Sequence, residues 1–285
     1  TPTVTPTVSP GDTPHPTITP SATSTPVPYP TPGYLVIFEG DYNGDGNADL
    51  AVFRPASGLW AVRGLGRSYF GHPGDIPVPG DYDGDGYTDI GIFRPSSGLW
   101  AIKEVTRIYF GDVDTIPVPG DYDGDGLCDP AIWDEVTGHW AIRELSRFYY
   151  GISDDFPVPA DYTGDGFSDY GIFRPSTGLW AIRGLTRVYF GQTGDTPIPA
   201  DYVWYGGQNQ WAAEIAIFRP STGLWAVWGG NRLYFGQAGD IPLAGQFVGG
   251  ALEKPGIFRR ATSLWAIRGI TRVYFGGGDD IPVTR

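Results

Sequence analysis

Four nine-residue stretches align without gaps: DYNGDGNAD (41–49), DYDGDGYTD (81–89), DYDGDGLCD (121–129) and DYTGDGFSD (161–169). Positions 1, 3, 5 and 9 carry oxygen-bearing side chains in all four. Glycines at positions 4 and 6 permit the sharp turn that folds those oxygens inward. Position 7 offers its backbone carbonyl whatever its side chain. This is the spacing of an EF-hand-type loop, shortened so that an Asp at position 9 replaces the distant Glu. The chemistry is coordination of a hard cation. No His or Cys spacing suits a softer metal, and magnesium demands a stricter octahedron, so the expected ion is Ca²⁺. The candidate ligands are Asp41, Asn43, Asp45, Asn47 and Asp49 in the first loop, and Asp81, Asp83, Asp85, Tyr87 and Asp89 in the second. The third offers Asp121, Asp123, Asp125, Leu127 and Asp129, and the fourth Asp161, Thr163, Asp165, Phe167 and Asp169. One such loop is an ordinary Asp-Gly turn, but four in register specify four ion sites.

Charge supports this reading. The chain has 285 residues and a net charge of −13, and the four loops alone hold 14 aspartates. The acidity belongs to the loops, not to a general surface field. A balance of this sign excludes nucleic acid as a partner. Without a cation, the crowded carboxylates of each loop repel.

The elements that must position the loops repeat. A tryptophan within GLWAIR-type segments recurs at Trp60, Trp100, Trp140, Trp180, Trp225 and Trp265. A YFG or YYG triplet recurs at Tyr69, Tyr109, Tyr149, Tyr189, Tyr234 and Tyr274. Within residues 76–115, IPVPG reads as a short extended piece and DIGIF as an alternating strand. RPSSG is a turn, GLWAIK the hairpin partner and RIYFG a fourth strand. Four strands in about 40 residues describe a propeller blade. The expected architecture is all-β, a six-bladed β-propeller of four-stranded blades over residues 34–285. The repeated Trp and the Tyr-Phe pairs are expected to fill the space between blades. Seven segments compete for six first-strand places, because VIFEG (36–40) and IPVTR (281–285) both fit. One of them is expected to close the ring. The fifth and sixth repeats, DYVWYGGQNQWAAEIAIF (201–218) and QFVGGALEKPGIF (246–258), have lost the loop pattern and are not expected to bind calcium.

Residues 1–33 contain ten Thr and ten Pro, no Lys or Arg and a single acid, Asp12. Such a segment cannot bury a core. It reads as an extended Thr/Pro-rich arm of polyproline II character, long enough to span on the order of 100 Å, and as a carrier of O-glycans. No apolar run is long enough to span a membrane. The absence of a signal peptide and of any methionine suggests a processed, mature form. Cys128 is the only cysteine, so an internal disulfide is excluded and the thiol is expected to fill one loop position. A secreted chain without disulfides needs another staple, and calcium is abundant outside cells.

YFG followed by GDYDGDGYTDIGIF resembles the FG-GAP/VCBS repeats of integrin-α-like propellers. The resemblance covers about residues 34–285. It implies a propeller with calcium held in blade loops by Asp41, Asn43, Asp45 and Asp49 and their counterparts. It also implies an extracellular setting, often adhesive. The sequence departs from the family in having IFRP where Gly-Ala-Pro would stand, six repeats in place of seven, and two repeats without the loop. Dockerins share the loop but follow it with a helix, whereas here a strand follows.

Three readings of function are open. Catalysis is the weakest: the three histidines, His15, His72 and His139, neither recur nor sit in a nucleophile motif, and the paired carboxylates are committed as ligands. The chain is expected not to be an enzyme. Glycan binding is the second, with Arg54, Arg94, Arg174, Arg219 and Arg259 lining one ring face and Trp204, Tyr205, Trp211 and Trp228 of repeat five stacking on sugars. The first is a secreted cell-surface structural protein, a calcium-stapled bead that polymerises with itself head-to-tail through residues 1–33.

Overall fold

The computed structural model describes residues 40–202, 212–249 and 252–284. The proposed arm and the segment 36–39 lie outside those residues, as do Trp204, Tyr205 and Trp211.

The described residues form six four-stranded antiparallel sheets, a six-bladed propeller. The second blade shows the plan: Ile76–Pro77, Gly91–Arg94, Leu99–Ile102 and Thr106–Tyr109 pair in chain order. The first strand is only two residues long because Pro79 follows Val78, and proline cannot extend a ladder. The second and third strands are buried on both faces and read as unbroken apolar runs such as GIFR and LWAI. The fourth is mostly exposed, with only Ile108 half-buried, since its outer face is not packed as the inner strands are.

Each hydrophobic cluster joins two neighbouring blades. Phe93, Trp100 and Ile102 of the second blade pack on Ile132 and Ala141 of the third. The series ends where Phe258, Trp265 and Ile267 of the sixth blade meet Val52 and Ala61 of the first, so the packing closes on itself. Each repeat Trp donates its indole N–H to the carbonyl ten residues on, as Trp100 does to Phe110 at 2.9 Å. That bond explains why a Trp, not a Phe, occupies the place: the indole joins the third strand to the end of the fourth while its ring fills the core.

The surplus strand is resolved. Ile281–Pro282 pairs with Ala51–Arg54, supplying the first strand of the first blade from the far end of the chain. The Val283 N–H donates to the Ala51 carbonyl at 2.9 Å, the bond that Val78 makes to Gly91 within the second blade. Thr284 adds a clasp: its hydroxyl donates to the Asp49 carbonyl at 2.6 Å and accepts the Ala51 N–H at 2.9 Å.

One expectation fails in part. The Trp of each repeat is buried, but the Tyr of each YFG triplet is 74–76% exposed. The alternation of the outer strand decides this. Ile108 in TRIY turns toward Trp100, so Arg107 and Tyr109 on either side of it turn outward.

Candidate metal centre

The second, third and fourth loops each leave a first strand and deliver the chain to the second, and the first loop leads into Ala51–Arg54. The Asp89 N–H donates to the Gly80 carbonyl at 2.7 Å, and Gly80 and Asp89 form an isolated bridge. Asp89 is therefore both the last loop position and the base of the strand Gly91–Arg94.

Position 1 organises the loop from within. Asp81 Oδ1 accepts the Gly84 N–H at 2.7 Å and Oδ2 accepts that of Gly86 at 3.0 Å. Asp41, Asp121 and Asp161 accept the same two amides in their loops. Position 5 caps position 7: Asp45, Asp85, Asp125 and Asp165 accept the N–H groups of Asn47, Tyr87, Leu127 and Phe167. Position 9 accepts the N–H of position 2, as Asp89 does from Tyr82 at 2.9 Å. The hydroxyl of that Tyr runs back to the first strand, donating to the Val78 carbonyl at 2.9 Å. The loop is thus folded by its own carboxylates before any ion is considered.

Those carboxylates converge. Asp81, Asp83 and Asp89 each place an oxygen so that the three lie within 4.8 Å of one another, and Asp121, Asp123 and Asp129 do the same. Oxygens bound to one calcium at about 2.3–2.6 Å lie within about 5 Å of each other, so both clusters fit a single ion. Burial pushes the Asp89 and Asp129 carboxyls up to about 6, aided by the repulsion of the other three aspartates in each loop. Asp49 and Asp169 are raised for the same leading reason. Groups held above their ordinary range by burial and like charge are what a divalent cation relieves. In the first and fourth loops position 3 is Asn43 and Thr163. Asn43 donates its amide to both oxygens of Asp49 at 2.9 and 3.0 Å, and the Thr163 hydroxyl lies 3.4 Å from Asp161 Oδ1. These two loops carry the same frame with one carboxylate fewer.

The loops are not independent. The N–H at position 8 of each loop donates to the position-1 carbonyl of the preceding blade: Thr88 to Asp41, Cys128 to Asp81 and Ser168 to Asp121, at 2.6–2.7 Å. Ala213 to Asp161, Glu253 to Asp201 and Ala48 to Gln246 continue the series through the blades without the metal pattern. Six hydrogen bonds thus link all six blades in a circle at one end of the propeller. Sequence reading missed this ring because its donors and acceptors are backbone atoms with no residue signature. A fainter signal did exist: small residues precede position 1 because position 8 of the next blade lies over them. A Cβ on Gly80 would meet Cys128 Sγ at 2.6 Å. Cys128 therefore fills a packing position, as its isolation in the sequence suggested. Glu214 was also overlooked. It stands at position 9 of the longer fifth loop and accepts the Tyr202 N–H at 2.7 Å.

Position 7 couples the loops a second time. Tyr87, Leu127 and Phe167 each lie over the position-4 glycine of the preceding loop. A Cβ on Gly124 would come within 2.4 Å of the Phe167 ring, whereas one on Gly126 would meet nothing within 4 Å. Both glycines have positive φ, +76° and +85°. Gly126→Ala is expected to cost about 1 kcal/mol of backbone strain. Gly124→Ala should cost about 2–3 kcal/mol and weaken calcium binding in the fourth loop as well as the third. Thermal melts and calorimetric titration of both variants check this, and equal effects would show that the loops do not touch in a way that matters.

The arginines proposed as a sugar-binding face are committed elsewhere. Arg94 makes a two-pronged pair with Asp75, Nε to Oδ1 at 2.7 Å and Nη2 to Oδ2 at 2.8 Å. Arg174, Arg219 and Arg259 repeat it with Asp155, Asp195 and Asp240, and Arg54 reaches across the ring closure to Asp280. These pairs tie the first strand to the second. The third blade has lost both partners, with Asp134 and Thr115 in their places. Trp228 is about half exposed. His139 lies against Tyr149, their rings 5.0 Å apart.

Residues 40–70 match the family model described as FG-GAP repeat. No curated protein matches the chain. Two crystal structures of BBS1N in complex with ARL6DN, one soaked with mercury and one with lead, share the fold. The first is 10% identical with a TM-score of 0.51, covering 84% of this chain and 84% of that one. The second is 9% identical with a TM-score of 0.50, covering 87% and 83%. At such identities the likeness is one of fold. The FG-GAP match falls on the first blade of the six-bladed propeller.

Proposed function

We propose that this FG-GAP propeller is a calcium-stabilised building block of an extracellular surface structure. The observation that carries the reading is the circle of loop-to-loop hydrogen bonds interrupted by no blade, with convergent carboxylates seated on it. Ions at those places join one blade to the next, a mechanical role, not a chemical one. Millimolar calcium outside cells suits sites of the weak, extracellular class. No helix among the described residues is long and apolar enough to cross a membrane. The Thr/Pro composition of residues 1–33 suits an arm that reaches a neighbouring subunit, giving head-to-tail contacts that propagate. That the BBS1N propeller is solved with a bound protein supports the fold's use as a docking body.

Electron microscopy of the full chain in millimolar calcium tests the assembly. Strings or sheets that fall apart when residues 1–33 are removed are the expected result. Single particles with and without the arm would overturn the assembly reading and leave the calcium staple standing.

A further inference from the structure

Aligning the six repeats leaves six positions occupied by one residue type throughout: the Trp and Ala of the third strand, the Arg and Tyr of the fourth, the Gly after YF or YY, and the Pro of the first strand. Four of these have structural causes. The Trp, Ala and Pro are buried, and the Gly takes positive φ in every repeat, from +92° to +118°. The Arg and Tyr are held by neither burial nor a special backbone conformation. Arg67, Arg107, Arg147, Arg187, Arg232 and Arg272 are exposed, and the six tyrosines are about three-quarters exposed. They persist in the two blades that lost the metal loop. Tyr149 persists in the third blade although the second-strand Arg, Arg94 in the second blade, has become Asp134 there. Protecting a strand edge asks for a charge, which Lys supplies as well, and asks nothing of a tyrosine.

We propose that these six Arg–Tyr pairs are repeated binding places for an anionic polysaccharide wound along the outer rim. Arg and Tyr stand two apart on an outer strand, on one face and about 7 Å from each other. A phenol ring stacks on the apolar face of a sugar, and a guanidinium grips a carboxylate or sulfate with two parallel N–H donors. Charge complementarity selects an acidic chain: the aspartates gather in the loops, while the outer strands carry a cation in every blade. Arg187 also lies near the Tyr150 hydroxyl of the blade beside it. Each place alone is weak. Six on one rigid rim bind a long polymer by avidity. The proposal goes beyond the architectural reading and holds whether or not the chain polymerises.

The test measures binding of the full chain, in millimolar calcium, to oligogalacturonate, dextran sulfate, neutral dextran and duplex DNA. Binding to both acidic glycans, at least tenfold tighter than to neutral dextran or DNA, is expected. Two sextuple variants, Tyr→Ala and Arg→Gln at the rim positions, should lose it by more than tenfold with the calcium-dependent melting temperature unchanged. If one does not fold, the other decides. Binding to only one of the two acidic glycans assigns the anionic group, carboxylate or sulfate, and upholds the rim as its site. Equal binding of neutral dextran, tighter binding of DNA, or full binding by the variants (as bridging through loop calcium would give) overturns it.

Discussion

A chain cut after Asp279 is expected to melt about 10–20 °C below the intact one, or to remain open and prone to association. The deleted residues include Asp280 and Ile281–Thr284, and they supply the missing strand of the first blade. Ile281 is 3% exposed and Val283 fully buried, each contributing about 1.5–3 kcal/mol. Asp280 is also fully buried, accepting from Arg54 and from the Gly277 N–H. Thr284 and the Val283 carbonyl hold the first metal loop, the latter through the Tyr42 hydroxyl at 2.8 Å. Together these come to about 5–8 kcal/mol, comparable with the whole stability of many domains. The loss falls where two neighbouring blades meet, so the ring opens at that seam. A synthetic peptide spanning 278–285, added in trans, should restore part of the melting temperature, and Thr284→Val should reproduce a small part of the loss. A truncated chain melting within about 2 °C of the intact one would show that the seam is closed by something else.

How much of this was legible beforehand follows from where the information sits. Blade number, strand order and loop positions were readable because side chains repeat: Trp100 must be buried, Gly84 must turn, and Asp89 must face what Asp81 faces. Ring closure was readable only as a surplus of candidates. IPVTR and VIFEG have equal claims on the first-strand place, and the backbone bond from Val283 to Ala51 decided between them. Two readings went astray because they used residue type without strand parity. Tyr109 is aromatic but lies two positions from Arg107, on the outward face. Arg94 is charged but stands across from a buried Asp, so its guanidinium is already occupied. For Tyr109 the sequence held the answer in its alternation, since Ile108 between Arg107 and Tyr109 had to point inward. The hydrogen-bonded circle of loops was readable only faintly, because Cys128, Ser168 and Ala213 share a small side chain and a backbone N–H and no other signature.

The largest effect that needs no change to the chain is removal of calcium, and it should reverse the pH dependence of stability. In the ion-free protein the Asp89 and Asp129 carboxyls titrate near 6, above the ordinary value of about 3.9. Between those values the folded state binds more protons than the unfolded one. Stability is therefore greatest in acid and falls as pH rises through about 6. Each carboxyl is partly exposed, so solvent screening reduces the effect to about 1 kcal/mol apiece. Calcium needs the same groups deprotonated, so its contribution grows over the range in which the ion-free protein weakens. Sites with dissociation constants near 10⁻⁴ M, in about 2 mM calcium, add about 2 kcal/mol each, or about 7 kcal/mol for four. Melting curves from pH 4.5 to 7.5 should therefore slope downward in EDTA and upward in calcium. The gap should reach about 15–25 °C at neutral pH. Replacing Asp89 and Asp129 with Asn should flatten the EDTA curve and remove about half of the calcium increment, since those loops lose a ligand and the titrating group together. Parallel curves in EDTA and calcium would mean that the loops are Asp-Gly turns and that the hydrogen-bonded circle holds the blades without ions.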